Sequence, residues 1–64
     1  MLIVAKKVTV NFDNVLFMSV EGNYLVLDEG DYNWNIEFDS SEKAHQARHS
    51  IESAYVNGEK ICKI

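Results

Sequence analysis

His45 and His49 stand four residues apart, the spacing at which two imidazoles on one helix face can meet a single metal ion. Glu42 and Glu52 fall near the same flank. No third ligand comes from another segment and there is no HExxH pattern, so a solvent-facing helix flank explains the pair equally well. The stretch Asp28-Glu29-Gly30-Asp31-Tyr32-Asn33 has carboxylates that could touch calcium, but it lacks the EF-hand order in which glycine follows three spaced ligands. It reads as a charged hairpin turn. Cys62, the single cysteine, lies in a terminal alternation with Ile61 and Ile64, where a small buried hydrophobe fits better than a nucleophile. Carboxylates for paired acid–base work are plentiful, yet so short a domain rarely encloses a pocket that shifts their pKa values. The sequence therefore predicts no catalytic set, no metal site and no cofactor.

Binding chemistry has more to draw on. Tyr24, Tyr32, Trp34 and Tyr55 offer large areas with a polar edge, suited either to core packing or to a binding surface. If Tyr32, Trp34 and Tyr55 stay exposed, they could stack a nucleobase. Ser40 and Ser41, at the start of a predicted helix with Lys43 and Arg48 nearby, could then hold a phosphate on backbone N–H groups that lack helical partners. These residues together form one candidate site, for a nucleotide-type ligand held between two subunits. A second candidate site consists of Asp28, Glu29, Asp31 and Tyr24, an acidic turn and a neighbouring aromatic that could engage a basic protein surface.

The elements that position these residues follow from periodicity. Tyr32, Trp34, Ile36 and Phe38 alternate with Asn33, Asn35, Glu37 and Asp39, a period of two that places four large side chains on one face of a strand. Val15–Val20 and Tyr24–Leu27 are rich in β-branched, aromatic and aliphatic residues, and Glu21-Gly22-Asn23 between them tolerates the positive φ of a tight turn, which predicts a hairpin. Asp28–Asp31 turns that hairpin into the strand at Tyr32. Leu2–Val10 predicts one or two short strands, closed by Asn11-Phe12-Asp13-Asn14. After Asp39 the period changes to three and four. Ser40 or Ser41 caps a helix, Glu42 suits its positive end, and Ala44, Ala47, Ile51, Ala54 and Tyr55 form a narrow apolar stripe. Asn57-Gly58 stops the helix, and Glu59–Ile64 predicts a final strand. The fold class is α+β: an antiparallel β-meander of four to five strands packed on one α-helix, with a short C-terminal strand, all in a single domain of residues 1–64.

Composition sets the outer limits. A chain of 64 residues buries only about 60% of its unfolded surface, so its stability calls for help. One cysteine rules out an internal disulfide framework, and one cysteine with two histidines falls short of a structural zinc site. Oligomerisation is the remaining aid, and the hairpin favours it, since Val15, Leu16, Phe17, Met18, Leu25 and Leu27 occupy both alternating registers while a single helix covers only one face. The sequence thus predicts a homo-oligomer. The longest apolar run near the start, Leu2–Ala5, is far below the ~20 residues of a membrane span, so a cytoplasmic location without membrane association is expected. From Val8 to Glu42 there are eight acidic residues and no lysine or arginine. Sheet-mediated binding of nucleic acid would need cations where this chain carries carboxylates, and direct nucleic-acid binding is not expected.

The stretch Val15–Leu27, VLFMSVEGNYLVL, resembles the strand-turn-strand of LytTR-type DNA-binding domains, although the basic loops of that family have no counterpart here. Asn11-Phe12-Asp13-Asn14-Val15 and Phe38-Asp39-Ser40-Ser41-Glu42-Lys43-Ala44 resemble a turn and a helix start of short proteins of Gram-positive bacteria and their phages. That resemblance implies the fold and a mobile-element setting. Some short phage proteins antagonise host defence, by blocking a protein or by sequestering a nucleotide signal. The leading expectation is accordingly a non-enzymatic binding protein of this phage-like kind, whose acidic meander engages a basic protein surface. The alternative is a homo-oligomeric sponge for a nucleotide-type small ligand.

Overall fold

A computed structural model describes residues Met1–Ile64. The strands are β1 (Leu2–Val4), β2 (Thr9–Asn11), β3 (Phe17–Glu21), β4 (Tyr24–Asp28), β5 (Asn33–Glu37) and β6 (Ile61–Lys63), with one helix, α1 (Ser41–Val56), between β5 and β6. The class is α+β, and the strands divide between two three-stranded sheets. The meander proper is β3-β4-β5, antiparallel throughout. The remaining strands form the order β2-β1-β6, in which β1 and β2 are antiparallel and β6 joins β1 in parallel.

Each local element has a visible cause. The β3–β4 turn is the two residues Gly22-Asn23, with φ +62° at Gly22 and no positive φ at Asn23, the pattern of a glycine-first turn whose twist matches the flanking strands. After β2, the Asn11 side chain accepts from the Asp13 N–H at 3.0 Å and starts a short 3₁₀ turn over Phe12–Asn14. Ser40 is the cap of α1, its Oγ accepting from the Lys43 N–H at 3.2 Å. The helix ends in a Schellman arrangement: Glu59 N–H donates to Ala54 O at 2.9 Å and Gly58 N–H to Tyr55 O at 3.1 Å, with Gly58 at φ +72°. Ser40→Ala is expected to lower stability by about 1 kcal/mol, the usual cost of losing such a cap, as read from urea unfolding; Ser41→Ala, one residue into the helix, is the control and should change little.

The core lies where both sheets and the helix meet. Ile3, Val10, Leu25, Leu27, Ala47, Ile51 and Cys62 form one buried cluster, with Met18, Val20, Trp34, Ile36 and Phe38 half-buried around it. Register explains the set. Ile3 stands opposite both Val10 and Cys62, while Leu25 pairs with Val20 and Ile36, and Leu27 with Met18 and Trp34. Ala44, Ala47 and Ile51 are the buried stripe of α1, and the small alanines let the helix axis approach the strands. Tyr55 departs from the predicted stripe: it is 64% exposed and rests edge-on against Phe12, with ring centroids 5.6 Å apart. At the helix end only Ala54 still turns inward, so the tyrosine slides off the edge of the core. No helix is long and apolar enough to cross a membrane.

Candidate partner-binding surface

The face of the β3-β4-β5 sheet turned away from the core is set by the same alternation. It carries Phe17, Ser19 and Glu21 from β3, Tyr24, Val26 and Asp28 from β4, and Asn33, Asn35 and Glu37 from β5. Across the strands, Phe17 faces Asp28, Ser19 faces Val26, and Tyr24 stands between Glu21 and Glu37. Phe17 is 69% exposed and Tyr24 40%. Leu16 joins them for a local reason. Its N–H donates to Asp28 O at 2.7 Å although Phe17 is the register partner of Asp28, so two residues oppose one. Such a bulge re-aims a side chain, and Leu16 is 65% exposed beside Phe17 instead of returning to the core. The apolar residues of both hairpin registers thus part company: Met18, Leu25 and Leu27 go inward, and Leu16 and Phe17 remain in solvent.

The surface has its exposed apolar residues, Leu16 and Phe17, at one corner and carboxylates at both ends. None of its nine strand positions is basic. Glu21 and Glu37 flank Tyr24 at one end, and Asp28 lies at the other, opposite Phe17, with Asp31 in the β4–β5 turn beyond it. Lys6 and Lys7 face Tyr24, Asn35 and Glu37 across a groove of about 690 Å³ that runs between the β1–β2 turn and the end of β5.

Of the four residues predicted to bind a partner, the structure gives Asp28 and Glu29 internal duties. Asp28 Oδ1 accepts from the Gly30 N–H at 2.7 Å, and the Asn33 amide, turned to donate, reaches both Asp28 oxygens at 3.1 Å. Glu29 Oε2 accepts from Trp34 Nε1 at 3.0 Å. Both carboxylates therefore hold the β4–β5 turn in shape. Asp31 remains unpaired and exposed. Tyr24 begins β4 and Asp28 ends it, about 14 Å apart at the rise of an extended strand, so the predicted quartet spans the whole sheet face. Sequence reasoning about this site passed over Phe17, Leu16, Glu21 and Glu37. The signal for the first two was present in the apolar residues occupying both registers of the hairpin.

The residues of the predicted nucleotide site are spread out. Tyr32 and Trp34 touch edge to face at 4.8 Å, with the indole N–H already given to Glu29. Ser40 is committed to the helix cap, and Ser41 is the first helical residue. Lys43 Nζ lies 3.4 Å from Asp39, and Arg48 Nε lies 3.8 Å from Glu52. Tyr55 sits near the far end of α1, about 21 Å along the axis from Ser41. His45 and His49 are exposed, and no three or more His, Cys, Asp or Glu side chains come together as a metal cluster. Burial pushes the Cys62 thiol above its ordinary value, with the Glu59 carboxylate adding to the effect, which leaves little thiolate for attack.

Compared with protein-family models, curated proteins and solved structures, the chain finds no match.

Proposed function

We propose that this is a non-catalytic binding protein that engages a basic surface of another protein through the outer face of its β3-β4-β5 sheet. The observation that carries the reading is Leu16 and Phe17 standing in solvent together at one corner of a face whose strand positions include three carboxylates and no cation. An exposed apolar cluster with a charged rim is the usual composition of a protein-binding patch, the apolar part supplying affinity and the charges orientation and encounter rate. The opposite face of the sheet is used by the core, so this one is free for a partner. The resemblance to short phage proteins makes a host-defence protein the target class to try first.

The test is capture of bacterial host proteins on the immobilised chain, compared with the double variant Glu21→Lys, Glu37→Lys. Both carboxylates are exposed, and the core does not depend on either. A genuine partner is expected to bind the variant at least tenfold more weakly at low salt, with the difference shrinking near 0.5 M salt, where surface charges are screened over about 4 Å. A captured protein retained equally by the variant at low salt would sink the reading.

A further inference from the structure

The outer edge of β5 has unused backbone groups, and its phase is fixed. Phe38 N–H donates to Asn23 O at 2.9 Å and Glu29 N–H to Tyr32 O at 2.8 Å. In an antiparallel ladder, hydrogen-bonded pairs alternate with non-bonded ones, so Trp34 and Ile36 spend their N–H and C=O groups on β4. Asn33, Asn35 and Glu37 then point theirs the other way, and none of them takes part in a backbone hydrogen bond outside the regular ladders. The groove beside the β1–β2 turn reaches this edge at the C-terminal half of the strand: it is lined by Asn35 and Glu37 from one face of β5 and by Ile36 and Phe38 from the other, and it continues round the sheet end to Asn23 and Tyr24.

The geometry points to a second copy of this chain as the occupant, paired β5 to β5 about a twofold axis at Asn35. In that register Asn35 faces Asn35 of the partner subunit, and Asn33 faces Glu37 of the partner subunit. These are the outward-pointing residues, so about six new backbone hydrogen bonds form without changing the phase of either strand. The side chains agree with it. On the outer face an amide meets a carboxylate at each end and an amide meets an amide at the axis. On the inner face Trp34 meets Ile36 of the partner subunit. The only charged residue of the strand, Glu37, never meets another Glu37.

Beyond the strand, Asp31 of the partner subunit arrives beside Phe38 and Asp39, at the groove wall made by Lys6 and Lys7. Lys6, Lys7 and Asp31 are in no ion pair within one chain, and Asp39 is already offset by Lys43. The groove thus supplies two free cations where a free carboxylate lands. The result is one six-stranded sheet with both helices on one side and both acidic, apolar faces merged on the other. A symmetric dimer of this kind is self-complementary, and pairing removes two open edges that would otherwise template uncontrolled association. An interface built on one strand pair belongs to the small, reversible class below about 1,200 Å², so assembly is expected in the micromolar range.

Sedimentation equilibrium from about 1 µM to 1 mM tests it directly. The mass should rise from 7.3 kDa towards twice that value, and the amides of Asn33, Asn35 and Glu37 should gain hydrogen-exchange protection as concentration rises. Asn35→Lys places two like charges opposite each other at the axis and should weaken the dimer at least tenfold. Asn35→Pro removes the outward N–H at an edge position that tolerates proline, and should do the same. Protection at Leu25 and Leu27 verifies that both variants are folded. Lys6→Glu with Lys7→Glu should also weaken the dimer, and adding Asp31→Lys should restore it. A mass of 7.3 kDa throughout would overturn the proposal and leave the edge to a different chain; so would a dimer that Asn35→Lys leaves intact. The readout is mass, so this can fail independently of partner binding through the outer face.

Discussion

Leu25→Ala is expected to remove a large part of the protein's stability. Leu25 is fully buried at the centre of the meander, between Val20 and Ile36 and within the cluster that includes Ile51 of the helix. Truncating such a leucine costs about 2–5 kcal/mol, from lost transfer energy plus the cavity left behind. A domain of 64 residues at roughly 0.05–0.15 kcal/mol per residue holds only about 3–10 kcal/mol in total. In a domain this size each kcal/mol moves Tm by about 4–8 °C, so thermal unfolding followed by circular dichroism should show a fall of roughly 8–40 °C. Val26→Ala, one residue along and on the outer face, is the comparison and should lose far less. A drop below 5 °C for Leu25→Ala would mean that the core is not centred where the register places it.

Phe17→Ala is expected to have the largest effect on partner binding with almost none on folding. Phe17 is mostly in solvent in the free protein, so its truncation leaves no cavity and Tm should stay within a few degrees. At the centre of a protein interface, however, a buried aromatic commonly accounts for 2 kcal/mol or more, about thirtyfold in affinity. Leu16→Ala should act in the same direction with a smaller effect. The measurement is titration calorimetry against the captured partner, with Tm recorded for each variant. Undiminished affinity for Phe17→Ala would move the contact surface away from this sheet face, whatever the charge variants show.

Short-range chemistry was the part of the fold legible in the sequence. The alternation around Trp34 and Ile36, the Gly22-Asn23 turn, the Ser40 cap and the Gly58 stop all depend on residues within four or five positions of each other, and each is where local rules put it. The pairing of β6 with β1 was not legible, because nothing near Cys62 says that its strand neighbour is Ile3. The candidate site was legible in outline only. An acidic meander is plain from the spacing of carboxylates, but which of them are free depends on bonds such as Trp34 Nε1 to Glu29, and these exist only once the turn has closed. Likewise, both apolar registers of the hairpin were visible, while the bulge that turns Leu16 outward was not, since it arises from one extra backbone bond to Asp28.

The parallel pairing of β1 with β6 has a kinetic meaning. Leu2 sits beside Ile61 and Val4 beside Lys63, so this sheet closes a loop of nearly the whole length of the chain, whereas β3, β4 and β5 join through short turns. Loop-closure entropy must be met before such distant contacts give anything back. During synthesis the meander can form while α1 and β6 are still unmade, and β1, already paired with β2, waits for β6, which is translated after the meander and the helix. Folding is therefore expected to run from the middle of the chain outward, with the parallel strand pair closing as its final step.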